Sequence, residues 1–366
     1  TLFMARAAQL RGGLDARLAW NGENTDISQL GITYPFEVYP PGHPRAELIL
    51  NRIRGTASNN LGQFQPLVNG PGEWEHLVNR YWGDTYWHNP FGPNPNASPW
   101  YLTTMWYGAY HAMRQDHTPG KSDIGDHKLR LDRLIAELGP IGFGAEQIAP
   151  SNSLLYPGQP DFTHQAAWPN AWESMSFFVD SLMLFSGFSP DAPGNTLRIA
   201  PKLPVEWSTM TFNNLRVGPH RVSLTVSEAL TASTQVLTNT TGGALDFETY
   251  VRIPHTRTPR VVTRNGELHP YTYDAATGRT RLAGAVGTGV GATTELVVDH
   301  SIPGDFTGDD RVSIADFGVL ALSLAGPDNP RPPAVSVVNW EKSKLDGDAD
   351  VDLGDVAVFQ VIFTGP

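Results

Sequence analysis

Residues 80–104 read RYWGDTYWHNPFGPNPNASPWYLTT, and Ala145-Glu146-Gln147 follows them further along the chain. Arg80 offers a planar fork of N–H donors, Asp84 accepts hydrogen bonds, Tyr81, Tyr86 and Trp100 present flat apolar faces, and Glu146 can polarise a water molecule. Taken singly, each has an ordinary reading: aromatic rings fill cores and arginines make surface ion pairs. Taken in order, they describe one wall of a small polar pocket.

The flanking sequence predicts the scaffold of that wall. Ser98-Pro99 supplies an N-cap and a proline for the first helical position. It predicts a helix with Leu102, Met105-Trp106 and Ala109-Tyr110 on its apolar face. Leu131, Leu134-Ile135 and Leu138 predict a partner helix that stops at Gly139-Pro140. A third helix is expected over Trp172 to Ser186, with Met175, Val179, Leu182 and Met183 at helical spacing and Gly187 as its stop. No period-2 run interrupts residues 1–190, so the region reads as helical hairpins with the pocket residues on the connecting loops.

The texture changes after residue 190. Val222 to Val226, Phe247 to Ile253, Arg260 to Thr263 and Glu295 to Val298 are short β-branched or aromatic runs, and Asn265-Gly266 is a tight-hairpin signal that needs positive φ at both positions. An all-β sandwich over residues 191–300 follows, with no catalytic constellation in it.

Residues 301–366 contain an internal repeat. One copy runs Asp305, Thr307, Gly308, Asp309, Val312, Ser313, Asp316; the other runs Lys344, Asp346, Gly347, Asp348, Val351, Asp352, Asp355. Oxygen-bearing residues at positions 1, 3, 5, 9 and 12, an apolar residue at 8 and a carbonyl at 7 match an EF-hand calcium loop. The expected ligands are Asp305, Thr307, Asp309, Arg311 (through its carbonyl), Ser313 and Asp316 in the first loop. Those of the second are Asp346, Asp348, Asp350, Asp352 and Asp355. Carboxylates this dense repel one another without a cation, so Ca2+ is the cofactor expected. Apolar helices are predicted after each loop, from Phe317 to Leu324 and from Val356 to Ile362.

Composition narrows the remaining classes. The 366 residues carry a formal charge of −11, with 11 acidic against 4 basic side chains after residue 302, a balance unsuited to nucleic acid. The longest apolar stretches, such as Ser176 to Phe188, are too short and interrupted to span a bilayer as a helix, so no membrane segment is expected. There is no cysteine, and so no disulfide or thiolate metal site. The 11 histidines lack zinc spacing, and neither a Gly-rich phosphate loop nor a Gly-x-Ser-x-Gly elbow occurs.

Two resemblances sharpen this reading. The duplicated loops, each leading into one helix and lacking an entering helix, resemble the dockerin domain of secreted polysaccharide-degrading enzymes. That implies docking to a cohesin-type partner and an extracellular location. Lys344 stands where an aspartate would supply the first ligand of the second loop, and position 6 is Asp310 or Ala349 instead of glycine, so the second site is expected to be the weaker. Ile314-Ala315 and Leu353-Gly354 depart from the Ser or Thr of many dockerins.

The order Arg80-Tyr81-x-x-Asp84-x-Tyr86, Pro99-Trp100-x-Leu102-Thr103-Thr104, Ala145-Glu146-Gln147 resembles the later half of glycoside hydrolase family 15, the glucoamylases and glucodextranases. Asp26-Ile27, Tyr34-Pro35-Phe36 and His43-Pro44-Arg45 are similar to the segment that precedes it. The resemblance implies part of an (α/α)6 toroid over residues 1–190 and an α-glucan or oligosaccharide substrate. Glu146 would be the catalytic base, with Arg80, Asp84, Tyr86 and Trp100 binding the sugar. An inverting reaction places acid and base about 6.5 to 9.5 Å apart. The family's acid lies further upstream of the base than this sequence reaches, so it is expected before Thr1 and the chain alone is expected to be inactive. Glu75, in a Trp74-Glu75 pair, stands at the wrong place in the order for that acid. Two alternatives remain open at this point. One is a disaccharide phosphorylase-like enzyme of the same toroid, which Leu197 to Pro201 and Trp207 resemble; the other is a non-catalytic glycan-binding or scaffold-docking protein.

Overall fold

A computed structural model describes residues 24–34, 36–84, 98–138, 142–148, 170–254 and 256–365, with helical fragments at 5–6, 9 and 12–13. The chain divides into two compact units, residues 1–185 and 186–366. Among the described residues no helix is long and apolar enough to cross a membrane.

The first unit is helical. A 3-10 turn, Ile27–Ile32, precedes α1 (Pro44–Arg54), α2 (Tyr101–Arg114), α3 (Ser122–Ala136), a π turn (Ala171–Met175) and α4 (Ser176–Met183). Helix α1 shows why an amphipathic helix forms here. His43 Nδ1 accepts the Arg45 N–H at its N-terminus, Pro44 takes the first helical position, and Gly55 closes it at φ 75°. Ala46, Ile49, Leu50 and Ile53 then fall on one face at i, i+3, i+4 and i+7, and all are fully buried. They pack with Ile27, Leu30, Ile32, Leu67, Val78, Tyr107 and Tyr110 in one core. Each large aliphatic side chain buried there contributes about 2 kcal/mol.

Two helix expectations need correction. Helix α2 starts at Tyr101, not at Pro99, because Pro99 and Trp100 pair with other loops. Helix α4 and the residues flanking it bury Ser174, Phe178, Ser181 and Phe185, whereas Val179 is 57% exposed. The buried serines have partners: Ser174 Oγ donates to Ala145 O, and the Ser181 carbonyl accepts from His127 Nε2 at 2.9 Å. Polar contacts and the rings of Phe178 and Phe185 share the buried face of this helix.

The second unit contains two sheets. One has the order β1 (Ser189–Asp191), β2 (Thr196–Ile199), β6 (Asp246–Arg252), β10 (Arg279–Ala285), β9 (Thr272–Asp274). The other runs β3 (Thr209–Val217), β4 (His220–Glu228), β5 (Ala232–Asn239), β11 (Ala292–Asp299), β7 (Val261–Arg264), β8 (Glu267–Leu268). All neighbours are antiparallel except β2 and β6. The turn between β7 and β8 has Asn265 at φ 51° and Gly266 at φ 82°, as a two-residue hairpin requires. Gln235 of one sheet donates to Tyr250 O of the other at 3.0 Å and accepts from Thr249 Oγ1 at 2.6 Å, so a satisfied polar contact joins them.

Helices α5 (Ile314–Ser323), α6 (Val337–Ser343) and α7 (Leu353–Ile362) close the chain around Val312, Leu320, Val335, Trp340, Val351 and Phe359. Helices α5 and α7 begin three residues earlier than expected. Capping boxes start them: Ser313 with Asp316, and Asp352 with Asp355. Helix α6 ends immediately before Lys344, so the second loop does have an entering helix, contrary to the sequence reading. This module is fastened to the sheets. Lys342, 4% exposed, donates to Asp299 Oδ2 at 3.1 Å, Arg260 donates to Lys342 O at 2.9 Å, and Arg257 pairs with Asp310 at 2.5 Å.

Candidate functional site

Main-chain pairing between four separate segments builds the pocket wall in the first unit. Asp26 bridges Tyr81, Asn79 bridges Pro99, and Trp100 bridges Gln147, all antiparallel. Ile27 N donates to Arg80 O at 2.8 Å, Trp82 N to Thr25 O at 3.0 Å, Tyr101 N to Glu146 O at 3.3 Å and Ile148 N to Pro99 O at 2.9 Å. Thr103 and Thr104 reinforce the junction: Thr103 Oγ1 donates to Val78 O at 2.5 Å, and Thr104 Oγ1 accepts the Val78 N–H at 2.9 Å. Main-chain groups supply most of these links, and the two threonine hydroxyls add theirs at Val78.

They surround a pocket of about 520 Å³ lined by Asp26, Ile27, Ser28, Arg80, Tyr81, Trp100, Leu102, Thr103, Trp106 and Glu146. Arg80, Trp100 and Glu146 thus meet at one cavity. Asp84 is fully buried and does not line it; it accepts Arg80 Nε and Nη2, both at 3.0 Å. Burial disfavours the charge on Arg80, and the Asp84 carboxylate outweighs that effect, raising the guanidinium pKa. The guanidinium carbon lies 4.1 Å from the Trp100 ring centre and 4.8 Å from that of Tyr81, a cation–π arrangement on two faces. Arg80 Nη1 makes no hydrogen bond among the described residues, which leaves donors for a ligand.

The segment that carries Glu146 is held from both sides. Asn170 N donates to Gly144 O at 3.0 Å, and a Cβ at Gly144 would sit 2.5 Å from the fully buried Tyr101 ring. Gln147 Nε2 donates to Ser98 O at 3.3 Å. Glu146 itself is part-exposed and lines the cavity.

Tyr86 lies outside the described residues. Glu75 does not line the pocket: its carboxylate faces His76 at 3.5 Å and its carbonyl accepts from Arg133. The lining also includes residues that the sequence does not mark as site residues, among them Ser28, Trp106 and Asp26. Trp106 had been read as apolar helix face, and its spacing of one turn after Leu102 and Thr103 is the signal that brings it to the same wall. Asp26 had been noted only as part of a flanking segment.

In the two acidic loops, carboxylate oxygens of Asp305, Asp309 and Asp316 lie within 4.8 Å of one another, as do those of Asp346, Asp352 and Asp355, and of Asp348, Asp350 and Asp355. Asp316 accepts the N–H groups of Phe306, Thr307 and Ser313 and the Ser313 hydroxyl, at 2.8 to 2.9 Å. Asp305 accepts Gly308 N and Asp310 N. Thr307 and Arg311 occupy loop positions 3 and 7, Arg311 donating its N–H to Asp309 Oδ1 at 3.1 Å. In the second loop Asp350 Oδ1 is buried without a hydrogen-bond partner among the described residues, as a cation ligand would be. An N–H from Asp350 tends to lower the Asp348 pKa, yet desolvation and then the neighbouring aspartates leave it raised. The donor set therefore fits a hard divalent cation. Position 6 carries strain in one loop: Asp310 stands at φ 68°, while Ala349 avoids positive φ. Lys344 turns aside and donates to Glu341 at 2.8 Å.

Neither a protein-family model nor a curated protein matches the chain. Among solved structures it is similar to a variant glycosidase in complex with glucose, at 16% identity and TM-score 0.33, over 50% of this chain and 44% of that one. It is also similar to a GH127 β-L-arabinofuranosidase from Geobacillus stearothermophilus, at 11% identity and TM-score 0.29, over 76% and 41%. A further glycoside hydrolase gives 14% identity and TM-score 0.29, over 75% and 45%. The chain spans less than half the length of each of these structures.

Proposed function

We propose that residues 1–190 form the base side of an inverting glycoside hydrolase site, part of an (α/α)6 toroid acting on α-glucans or their oligosaccharides. Residues 191–300 are its sandwich, and residues 301–366 a dockerin-like module. The observation that carries this reading is the convergence of Glu146 with an arginine fixed by a buried aspartate and stacked on Trp100, around a cavity of about 520 Å³.

In this reading Arg80 Nη1 donates to sugar hydroxyls, Trp100 backs the guanidinium, and Trp106 offers an apolar face to the ring. Glu146 takes a proton from the water whose oxygen bonds to the anomeric carbon. The glycosidic C–O bond breaks, and its oxygen receives a proton from a second carboxylic acid not assigned among the described residues. The calcium module is proposed to hold Ca2+ through Asp305, Thr307, Asp309, Arg311, Ser313 and Asp316, and through Asp346, Asp348, Asp350, Asp352 and Asp355. The ion neutralises carboxylates that otherwise repel. A cohesin-type partner and secretion belong to the same proposal.

The test is proton NMR of the sugar released from maltooligosaccharides by the complete protein. The β-anomer is expected first, and Glu146→Gln is expected to lose about 10²-fold or more in kcat. Full activity in that variant overturns the assignment.

A further inference from the structure

The pocket holds a carboxylate that this scheme does not use. Asp26 caps the turn Ile27–Ile32, with φ −138° and ψ 132°, and its Oδ1 accepts the Ser28 N–H at 2.8 Å. A cap needs one acceptor atom, which serine, threonine or asparagine supplies without charge. Oδ2 of Asp26 makes no hydrogen bond or ion pair among the described residues, and Asp26 lines the same cavity as Arg80 and Glu146. Arg80 does not neutralise it, because two arms of that guanidinium are committed to Asp84.

Backbone geometry fixes where this charge sits. Asp26 bridges Tyr81, and the next residue, Ile27, donates its N–H to Arg80 O at 2.8 Å. An acceptor-only carboxylate is thereby held in the wall segment paired with the one that carries the uncommitted Arg80 donors. Neighbouring hydroxyls on a sugar ring can use both, one accepting from the arginine and one donating to the aspartate.

Resting on the glycosidase reading, we infer that Asp26 is a substrate-binding residue that accepts a hydroxyl of an uncharged sugar and, with Glu146, excludes anionic sugars. A hydrogen bond to a carboxylate is roughly twice as strong as a neutral one. Repulsion between like charges grows in a cavity partly shielded from water.

The experiment is calorimetric titration of wild type, Asp26→Asn and Glu146→Gln with maltotriose, and with the matched pair glucose and glucuronate. Asparagine keeps the cap, so the fold is retained, and an unchanged melting temperature verifies this. Asp26→Asn is expected to bind maltotriose about tenfold more weakly and to discriminate less between glucose and glucuronate. Glu146→Gln is expected to keep maltotriose binding. If wild type binds and Asp26→Asn matches it in both affinity and discrimination, the assignment of Asp26 is overturned and the reading of the pocket stands. If wild type and Glu146→Gln bind none of these sugars, the glycosidase reading falls and the assignment falls with it.

Discussion

Arg80 and Asp84, four residues apart, meet through two arms of 3.0 Å each, with the carboxylate fully buried and the guanidinium side chain 35% exposed. The pair is therefore unequal. Arg80→Ala strips the guanidinium from a charge that water cannot reach and is expected to cost about 3 kcal/mol. Asp84→Ala leaves an arginine that solvent can reach, for about 1 kcal/mol. Urea unfolding of both variants measures the difference, and the reverse order would contradict the placement of Asp84 behind the pocket.

Gly144 is the second test of the wall. An alanine Cβ there meets Tyr101 at 2.5 Å, and a fully buried ring has no room to yield. Overpacking of this kind costs about 1–3 kcal/mol, and relief moves the segment that bears Glu146. Gly144→Ala is expected to lower kcat by more than its melting temperature suggests. Gly142→Ala, a control with φ 75° but open space around it, should lower stability alone.

The second unit should weaken in mild acid. Burial first, and then the charge of Arg257, hold His300 at about 4, below its ordinary 6.5, while Asp299 and Asp310 pull the other way. A lowered folded-state pKa means that the contribution is complete above pH 6.5 and is lost as pH falls toward 4. By pH 5 the loss is about 2 kcal/mol. Denaturant midpoints of wild type and His300→Gln at pH 7 and pH 5 read it directly, with the smaller drop expected in the variant.

The first unit has its own acid limit. Burial alone would raise the Asp123 pKa, but hydrogen bonds from His111 and Thr118 and the charge of Arg114 hold it at about 2. Its contribution is present above the ordinary 3.8 and disappears as pH drops toward 2. Asp123→Asn should flatten the decline in the melting temperature of this unit between pH 4 and pH 2.

Much of this organisation was legible because local chemistry forces it. Asn265-Gly266 specifies its hairpin through positive φ, and two acidic loops in the same register declare themselves by spacing. The pocket was harder to read. Pro99 and Trp100 look like a helix start, yet tertiary pairing with Asn79 and Gln147 claims them. Ser174, in the π turn, and Ser181, in helix α4, are buried because their partners lie on Ala145 and His127, far away in sequence. Asp26 stayed hidden for the same reason, since its relation to Arg80 exists only across a backbone bridge.

Lys344 offers a gain-of-function test. Its ammonium is held by Glu341 and lies 5.7 Å from the Trp340 ring centre, so the first position of the second loop contributes no oxygen. Lys344→Asp is expected to tighten calcium binding at that loop about tenfold through added ligand charge. Asp316→Ala should abolish binding at the first loop. It should also lower the melting temperature in EDTA, because Phe306, Thr307 and Ser313 lose their acceptor. Calorimetry with and without Ca2+ separates the two effects.

The frame around the pocket is knit from N–H and C=O groups that almost every residue type possesses. The side chain at Glu146 can be exchanged without unpicking those backbone pairings, so one wall of the cavity can be retooled while its frame stays in place. Proline is the exception. At Ile27, Trp82, Tyr101 or Ile148, each of which lends its N–H to a neighbouring segment, it would pull a thread from the frame itself.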